Sequence, residues 1–187
     1  MTLNEILDQI WVLPEESKQE LRKYIELVSL PKGYHLMGID KVETSVYFIK
    51  KGIVRAYVLQ DDNEVTFCFI KEGETVISMK SYVENQPGYE IIELLEECDL
   101  YELKIKNLRQ LFEEDIHIAN WGRRFAEQEL IKTEERLISR QFRTAGERYK
   151  DLMKQHPEFL QRIQLGYIAS YLGITQVSLS RIRAEIK

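Results

Sequence analysis

Several residue types are scarce in this chain of 187 residues, and each scarcity excludes a class of protein. The 2 cysteines, Cys68 and Cys98, form no Cys-x-x-Cys pair, so neither a disulfide framework nor a cysteine-ligated zinc or iron–sulfur site is predicted. The 3 histidines are too far apart in the sequence to indicate a metal site: His35, His117 and His156.

Long apolar runs and a leader sequence are also missing. No apolar segment approaches the roughly 20 residues that cross a bilayer. The N-terminus has early acids and no basic region followed by an apolar stretch, unlike a signal peptide. We therefore expect a cytoplasmic protein that does not contact membranes. No nucleophile–base arrangement, carboxylate pair or phosphate-binding glycine loop stands out, so neither an enzyme nor a bound cofactor is expected.

Acidic residues outnumber basic ones, but the charge is unevenly distributed. The formal net charge is −5, yet residues 123–187 contain 13 Lys/Arg against 8 Asp/Glu, whereas residues 1–122 contain 13 against 23. Because a polyanion selects a basic surface, only the C-terminal third is expected to meet nucleic acid. A solvated helical surface is the alternative interpretation of the same charges.

The spacing of apolar residues changes along the chain. Over residues 2–29 they recur at three- and four-residue steps, which predicts helix, with a start or restart at Pro14. From Pro31 to Leu103, short β-rich runs separated by Gly or Asp/Asn predict an antiparallel sandwich or barrel, with a hairpin loop at Asp61-Asp62-Asn63. These runs are VYFIKKG, IVRAYVL, VTFCFI, TVISM, YEIIELL and LYELKI.

A long helical region follows, from about Asn107 to Phe142, and no Gly or Pro interrupts residues 123–143. Apolar stripes on such a long, charged helix favour a partner helix, and packing against the chain's own sheets is the alternative. Dimer contacts are expected from Ile118, Trp121, Phe125, Leu130 and Leu137. Residues 143–161 predict another helix, which His156-Pro157 ends.

Residues 165–186, LGYIASYLGITQVSLSRIRAEI, have the spacing of a helix-turn-helix. Ala169 is the small residue at the helix crossing, Gly173 suits the sharp turn, and Thr175 can cap the second helix. The expected buried face comprises Ile168, Leu172, Ile174, Leu179 and Ile182.

An ordinary helical hairpin is the alternative, but it would leave the polar face of the second helix unexplained. The first turns of such a helix meet base edges, while Arg and Ser/Thr groups hold phosphates. We expect Arg181 to contact guanine and Gln176 to contact adenine. The full set of expected DNA contacts is Thr175, Gln176, Ser178, Ser180, Arg181 and Arg183.

These elements, taken in order, resemble the Crp/Fnr family of bacterial transcription regulators. The resemblance covers essentially the whole chain. Its residues are PKG at 31–33, YFIKKGIVRAY at 47–57, IKEGE at 70–74 and the helix-turn-helix.

The resemblance implies an α+β fold in three parts. N-terminal helices and an antiparallel jelly-roll barrel of the cyclic-nucleotide-binding type would span 1–108, a long dimerisation helix 109–142, and the helix-turn-helix domain 143–187. It also implies a homodimer on double-stranded operator DNA, with RNA polymerase and an unidentified small-molecule effector as further candidate partners.

The resemblance fails at the nucleotide site. In cyclic-nucleotide-binding members a Gly-Glu pair holds the ribose and a later Arg neutralises the phosphate; without gaps, these positions fall on Ile77, Ser78 and Gly88. Residues 77–92 contain no arginine, and Lys80 is their only cation. A phosphate needs such charged hydrogen bonds to offset desolvation, so we expect no control by cyclic AMP. The residues expected at this degenerate effector pocket are Ile77, Ser78, Lys80, Gly88, Tyr89 and Thr133.

Thr133 matches a family position that touches the nucleotide base, and it is equally explained as a residue of the dimer stripe. The sequence stops at Lys187, where typical members continue into a β-hairpin wing, as in a subgroup that lacks the wing. Weaker and less salt-dependent DNA binding is therefore expected. An Fnr-type iron–sulfur cluster is not expected, because its cysteines are missing.

Three functions remain open on sequence alone. The first is a dimeric DNA-binding regulator, the second a ligand-sensing module with reduced or no DNA binding, and the third an interaction protein that uses the long helix. The spacing of residues 165–186 and the basic C-terminal third favour the first.

Overall fold

The computed structural model describes residues 1–61 and 63–186, in which the chain forms two compact units. We call Met1–Ala56 with Phe69–Glu129 the sheet unit, and Tyr57–Cys68 with Leu130–Lys187 the helical unit. One long helix contributes residues to both units, and part of a β-hairpin belongs to the helical unit. This division therefore differs from the predicted boundaries at residues 108 and 142.

Antiparallel strands form two four-stranded sheets, as predicted, with the orders β1-β8-β3-β6 and β2-β7-β4-β5. Burial alternates along β7, as expected for a strand with one face in the core. The strands are β1 Ile25–Leu30, β2 His35–Met37, β3 Ser45–Lys51, β4 Val54–Gln60, β5 Asn63–Ile70, β6 Thr75–Val76, β7 Ile91–Leu94 and β8 Cys98–Lys104.

The helices begin at recognisable sequence signals. Thr2 and Thr144 each form a capping box with the glutamate three residues later, and Asp115 accepts hydrogen bonds from the backbone of the next helix at 2.8 and 3.3 Å. The helices are α1 Leu3–Ile10, α2 Glu15–Arg22, α3 Met79–Glu84, α4 Ile105–Glu114, α5 Ile116–Phe142, α6 Ala145–Gln155, α7 Phe159–Arg162, α8 Leu165–Tyr171 and α9 Gln176–Ile186.

The predicted helix over residues 2–29 is wrong at its C-terminal end. Residues 25–30 form β1, which pairs with β8 from Ile25 opposite Leu103 to Leu30 opposite Cys98. The three-residue step from Ile25 to Val28 imitates a helical period, but pairing with a strand far along the chain decides the conformation.

The predicted strand TVISM is also wrong over most of its length. Only Thr75 and Val76 are extended, as β6 beside β3, and Met79 begins the short helix α3. The predicted hairpin loop lies between β4 and β5, with Asp61 in the left-handed region at φ 48°. Asp62 of that loop lies outside the described residues.

The core of the sheet unit joins α1, α2, α4 and the first turns of α5 to the first sheet. Trp121 anchors this core, since its indole Nε1 donates to the Leu7 carbonyl at 3.0 Å and its ring meets Phe48 edge-on at 6.1 Å. The start of α5 is thereby fixed to the N-terminal helices.

Candidate nucleic-acid interface and effector site

The turn between α8 and α9 is closed by its own backbone. Gly173 has φ +67°, and its N–H donates to the Ser170 carbonyl at 2.9 Å, while the Ile174 N–H donates to the Ala169 carbonyl at 3.0 Å. This is a Schellman motif, which ends α8 and turns the chain sharply. Glycine suits this position because the left-handed region costs it little.

The next helix begins at a side-chain cap. Thr175 Oγ1 accepts from the Ser178 N–H at 3.2 Å, so the capping role predicted for Thr175 is present. Arg148 of α6 donates from Nη2 to the Leu172 carbonyl at 2.6 Å, which holds the turn against the preceding helix. The direction in which α9 leaves the turn is therefore fixed by several hydrogen bonds.

Apolar side chains hold the two helices together. Ile168 is 0% exposed and Leu179 is 1% exposed. Ala169 is 2% exposed where a small residue was expected, whereas Ile174 and Ile182 are only half-buried. Burial of these positions on both helices is what a helix-turn-helix requires.

The opposite side of α9 is polar and exposed. Gln176, Ser180, Arg181 and Arg183 are exposed, and Ser178 is half-buried beside Thr175. Among the described residues, neither arginine forms an ion pair or a hydrogen bond, whereas Ser180 Oγ donates to the Gln176 carbonyl at 3.0 Å. The two guanidiniums thus keep donors for an external anion or base edge.

Val177 belongs to the same surface and was missed by the sequence analysis. It is 63% exposed on the first turn of α9, between two predicted contact residues. An apolar side chain at such a position can contact a thymine methyl group. Val177 stands two positions before Leu179, which is buried, and residues two apart on a helix do not share a face. This spacing is the signal that could have identified Val177 as exposed.

A β-hairpin segment packs on the first helix of the motif within the helical unit. Ser170 Oγ accepts from the Thr66 N–H and donates to the Glu64 carbonyl, both at 2.9 Å. Arg136 of α5 donates from Nη1 to Cys68 Sγ at 2.8 Å. Burial raises the pKa of the neighbouring Tyr171, which keeps that phenol protonated near neutral pH. Glu64 and Thr66 of this segment therefore help to support α8.

The position where the resemblance expects an arginine is closed by acidic and hydroxyl groups. A Cβ atom added to Gly88 would lie 2.6 Å from Ser78 Oγ and 2.8 Å from Glu90 Oε1. Ser78 is 1% exposed and its Oγ has no hydrogen-bond partner, and Glu90 is 6% exposed. A carboxylate at this place repels a phosphate, and a longer side chain at position 88 would require Ser78 and Glu90 to move.

The other residues predicted for the effector pocket differ in their burial and in the unit to which they belong. Lys80 and Ile77 are half-buried, and Tyr89 is 65% exposed. Thr133 lies in the helical unit, where its hydroxyl accepts from Arg136 at 3.2 Å. A second cation of the sheet unit, Arg55, is 1% exposed and pairs with Glu93 at 3.4 Å. That buried arginine is already engaged by an acid.

Three of the residues predicted for dimer contact belong to the protomer's own core. Ile118 is 0% exposed and Trp121 2% exposed, and Phe125 stacks on Trp121 with centroids 6.4 Å apart. The sheet unit covers the side chains of Ile118 and Trp121, so their predicted dimer contact does not fit this burial, whereas Phe125 is half-buried and its dimer contact stays a prediction. This was the alternative of a helix packed against its own sheets, and it holds for the first turns of α5.

Later turns of α5 have an exposed apolar stripe. Leu130 and Leu137 stand seven residues apart, as do Ile131 and Ile138, and Phe142 follows one turn later. Their exposed fractions run from 53% for Ile131 to 74% for Phe142. Seven-residue spacing of large apolar side chains is typical of a helix that packs along another helix.

Two kinds of feature are absent among the residues that the structure describes. None of their helices is both long and apolar enough to cross a membrane. Over the same residues, no group of three or more His, Cys, Asp or Glu side chains is arranged to hold a metal ion.

Comparisons with known proteins agree with the arrangement of sheets and helices. Residues 27–115 match the family model of the cyclic nucleotide-binding domain. The regulatory domain of Toxoplasma gondii PKA, solved with cAMP, is similar over 58% of this chain at 18% identity and a TM-score of 0.54. This chain spans 42% of that protein's length. No curated protein sequence matches.

Similarity over most of the chain is found with two further solved structures. FixK2 from Bradyrhizobium japonicum is 21% identical with a TM-score of 0.72, covering 87% of this chain and 84% of its own. A crp/fnr-family transcriptional regulator from Eubacterium rectale is 15% identical with the same TM-score, covering 91% and 82%. The chain therefore has the fold of Crp/Fnr regulators, and the predicted resemblance is confirmed.

Proposed function

We propose that this protein is a homodimeric, sequence-specific DNA-binding transcription regulator of the Crp/Fnr type. The observation that supports it most is the exposed polar face of α9, where Arg181 and Arg183 have no partner among the described residues. The Schellman turn and the Thr175 cap fix the position of this helix relative to α8. A recognition helix needs such a fixed direction to enter a major groove.

The dimer rests on the apolar stripe of α5. A homodimer through these turns would cover Leu130, Ile131, Leu137, Ile138 and Phe142, which the protomer leaves in water. Two helix-turn-helix motifs would then meet two half-sites of a palindrome. RNA polymerase and a small-molecule effector stay predictions.

We expect Arg181→Ala to weaken binding to the selected operator by about 1–3 kcal/mol and to relax preference at one base position, because a bidentate contact to guanine is lost. Operator fragments are first selected from genomic DNA by the purified protein and then titrated by fluorescence anisotropy. Arg181→Lys is the matched control, since it keeps the charge and loses the planar fork. It should keep most affinity for unrelated DNA yet lose the base preference. Unchanged base preference in both variants would contradict the proposed role of Arg181.

Cyclic AMP is expected to give no binding signal. The acidic Glu90 carboxylate and the missing arginine at Gly88 remove the attraction that a cyclic phosphate needs. Calorimetric titration of the full chain with cyclic AMP tests this, alongside a cyclic-AMP-binding regulator as positive control. Saturable binding at micromolar concentrations would overturn the expectation.

A second candidate is a ligand-sensing module with reduced or no DNA binding. It is favoured by the family-model match, which covers residues 27–115 and not the helix-turn-helix. The selection experiment distinguishes the two, because a sensor alone would enrich no DNA sequence at physiological salt.

A further inference from the structure

A cavity of about 380 Å³ lies in the sheet unit, away from Gly88 and from α9 in sequence. Its volume falls within the range of small-molecule sites. Part of its wall is the connection between α1 and α2, namely Trp11, Leu13 and Pro14. This wall offers an aromatic face, since the Trp11 side chain is 53% exposed, and a rigid apolar floor, since Leu13 is 4% exposed.

The remaining wall is polar and comes from the first turns of α5. His117, Asn120, Arg123 and Arg124 line it, and none of the cavity's lining residues is a carboxylate. These four side chains are exposed, so they are hydrated and open to solvent. The cavity therefore combines a flat apolar wall with a wall of hydrogen-bond donors.

The two arginines pair with an acidic residue that does not line the cavity. Glu127, one turn further along α5, accepts from Arg123 Nη1 and from Arg124 Nη1, the latter at 3.3 Å. Asn120 Oδ1 also accepts from Arg123 Nε at 3.4 Å. Desolvation raises the pKa of Glu127, but the hydrogen bonds and charges of the two arginines outweigh it, so the pKa lies below its usual value. Glu127 is thus ionised at neutral pH and orients both guanidiniums.

Each guanidinium still has donors to spare. One terminal nitrogen of each is committed to Glu127, and the Arg124 guanidinium also lies over the Trp11 ring, 5.6 Å from its centroid. An arginine so placed can stack and donate in its plane at the same time. Both guanidiniums line the cavity, and the carboxylate that pairs with them is Glu127.

We propose that this cavity binds a small organic anion, in which a phosphate or carboxylate meets Arg123 and Arg124 and a flat apolar body packs against Trp11 and Pro14. A simple inorganic anion would use the donors and leave the apolar wall in water. A neutral aromatic molecule would use the wall and leave the guanidiniums without a partner anion. The lining residues of this cavity differ from the residues around Gly88, and the proposal does not depend on the proposed regulator function.

Phenyl phosphate is the test ligand, because it has the anion and the flat body in one molecule. Tryptophan fluorescence follows binding to the full chain, with Trp11 exposed and Trp121 buried as the two emitters. We expect saturable quenching that Trp11→Phe abolishes, and calorimetry on the same variants gives the affinity. Arg124→Gln should weaken binding about tenfold or more through the lost charged hydrogen bonds.

Lys106→Gln is the matched control, since Lys106 is exposed on α4 and the charge change is the same. It should leave the affinity within about twofold, because exposed charges elsewhere are screened. Arg123→Gln is the second site variant, and the unfolding midpoint of each variant, read from Trp121, shows that it is folded. Light scattering with and without phenyl phosphate reports the oligomeric state, because the cavity lies on the helix that we propose for dimerisation.

Three results would overturn the proposal. Inorganic phosphate that binds as tightly as phenyl phosphate would mean that the apolar wall contributes nothing. Benzyl alcohol that binds as tightly would mean that the guanidiniums contribute nothing. Equal losses in Lys106→Gln and in the two folded arginine variants would mean that only the overall charge matters.

Discussion

Glutamate at positions 130 and 137 together is expected to convert a dimer into monomers. Leu130 and Leu137 are 64% and 63% exposed, and a two-fold axis along α5 would bury four such leucines. Each buried leucine stabilises association by about 1.5–3 kcal/mol, so the dimer dissociation constant should rise by three or more orders of magnitude. The added carboxylates would also repel one another across the axis.

Light scattering on a dilution series measures this change directly. The monomer has a mass of 22.2 kDa, and the unmodified protein should show twice that mass down to low concentration. Met79→Glu with Val83→Glu is the matched control, since it places two glutamates on the exposed apolar residues of α3. This control should stay dimeric. A monomeric parent protein, or a dimeric Leu130→Glu/Leu137→Glu variant, would show that the stripe is not the interface.

Replacing Ile168 by alanine is expected to unfold the helix-turn-helix while the sheet unit stays folded. Ile168 is 0% exposed at the helix crossing, and such truncations cost about 2–5 kcal/mol through lost burial and the cavity left behind. Because packing against α8 fixes the orientation of α9, the variant should also lose operator binding. Val177→Ala, at a position 63% exposed, is the control for stability and should shift the midpoint little.

The two tryptophans make the unfolding of the two units separable. Trp11 and Trp121 both lie in the sheet unit, so their fluorescence reports that unit, while far-UV circular dichroism reports helices in both. In Ile168→Ala the dichroism transition should shift to lower denaturant and the fluorescence transition should not. Coincident shifts of both signals would mean that the two units unfold as one.

The helix-turn-helix was predictable because its determinants are local. Ala169, Gly173 and Thr175 stand at fixed offsets, and each acts through hydrogen bonds or close packing within a few residues. The capping boxes at Thr2 and Thr144 are equally local. Such signals can be recognised in the sequence without knowledge of the rest of the chain.

The incorrect predictions have causes that lie far away in the sequence. Residues 25–30 are extended because β8, which begins only at Cys98, pairs with them. The Ile118 side chain is buried because the N-terminal helices and the first sheet cover that turn of α5, which no spacing on α5 itself can reveal. An apolar stripe shows that a helix packs against another surface, but the fold decides whether that surface belongs to the same chain or to a second one.

The crowding around Gly88 also lay beyond the sequence. The missing arginine was visible, but the approach of Glu90 and Ser78 to the same point depends on how the segment after α3 folds back. The cavity beside Trp11 is another case, since its two walls are separated by more than a hundred residues.

The exposed leucines and isoleucines of α5 have a consequence for how DNA binding would depend on the concentration of the protein in a cell. If only dimers occupy a palindromic site, the concentration of DNA-binding protein is the concentration of dimer. When most chains are monomeric, that concentration rises with the square of the total chain concentration. At concentrations below the dimer dissociation constant, halving expression would then leave about a quarter of the pairs, a steeper loss than a single-chain binder would suffer. Synthesis rate alone could therefore set a threshold for gene control, without any small molecule as a signal.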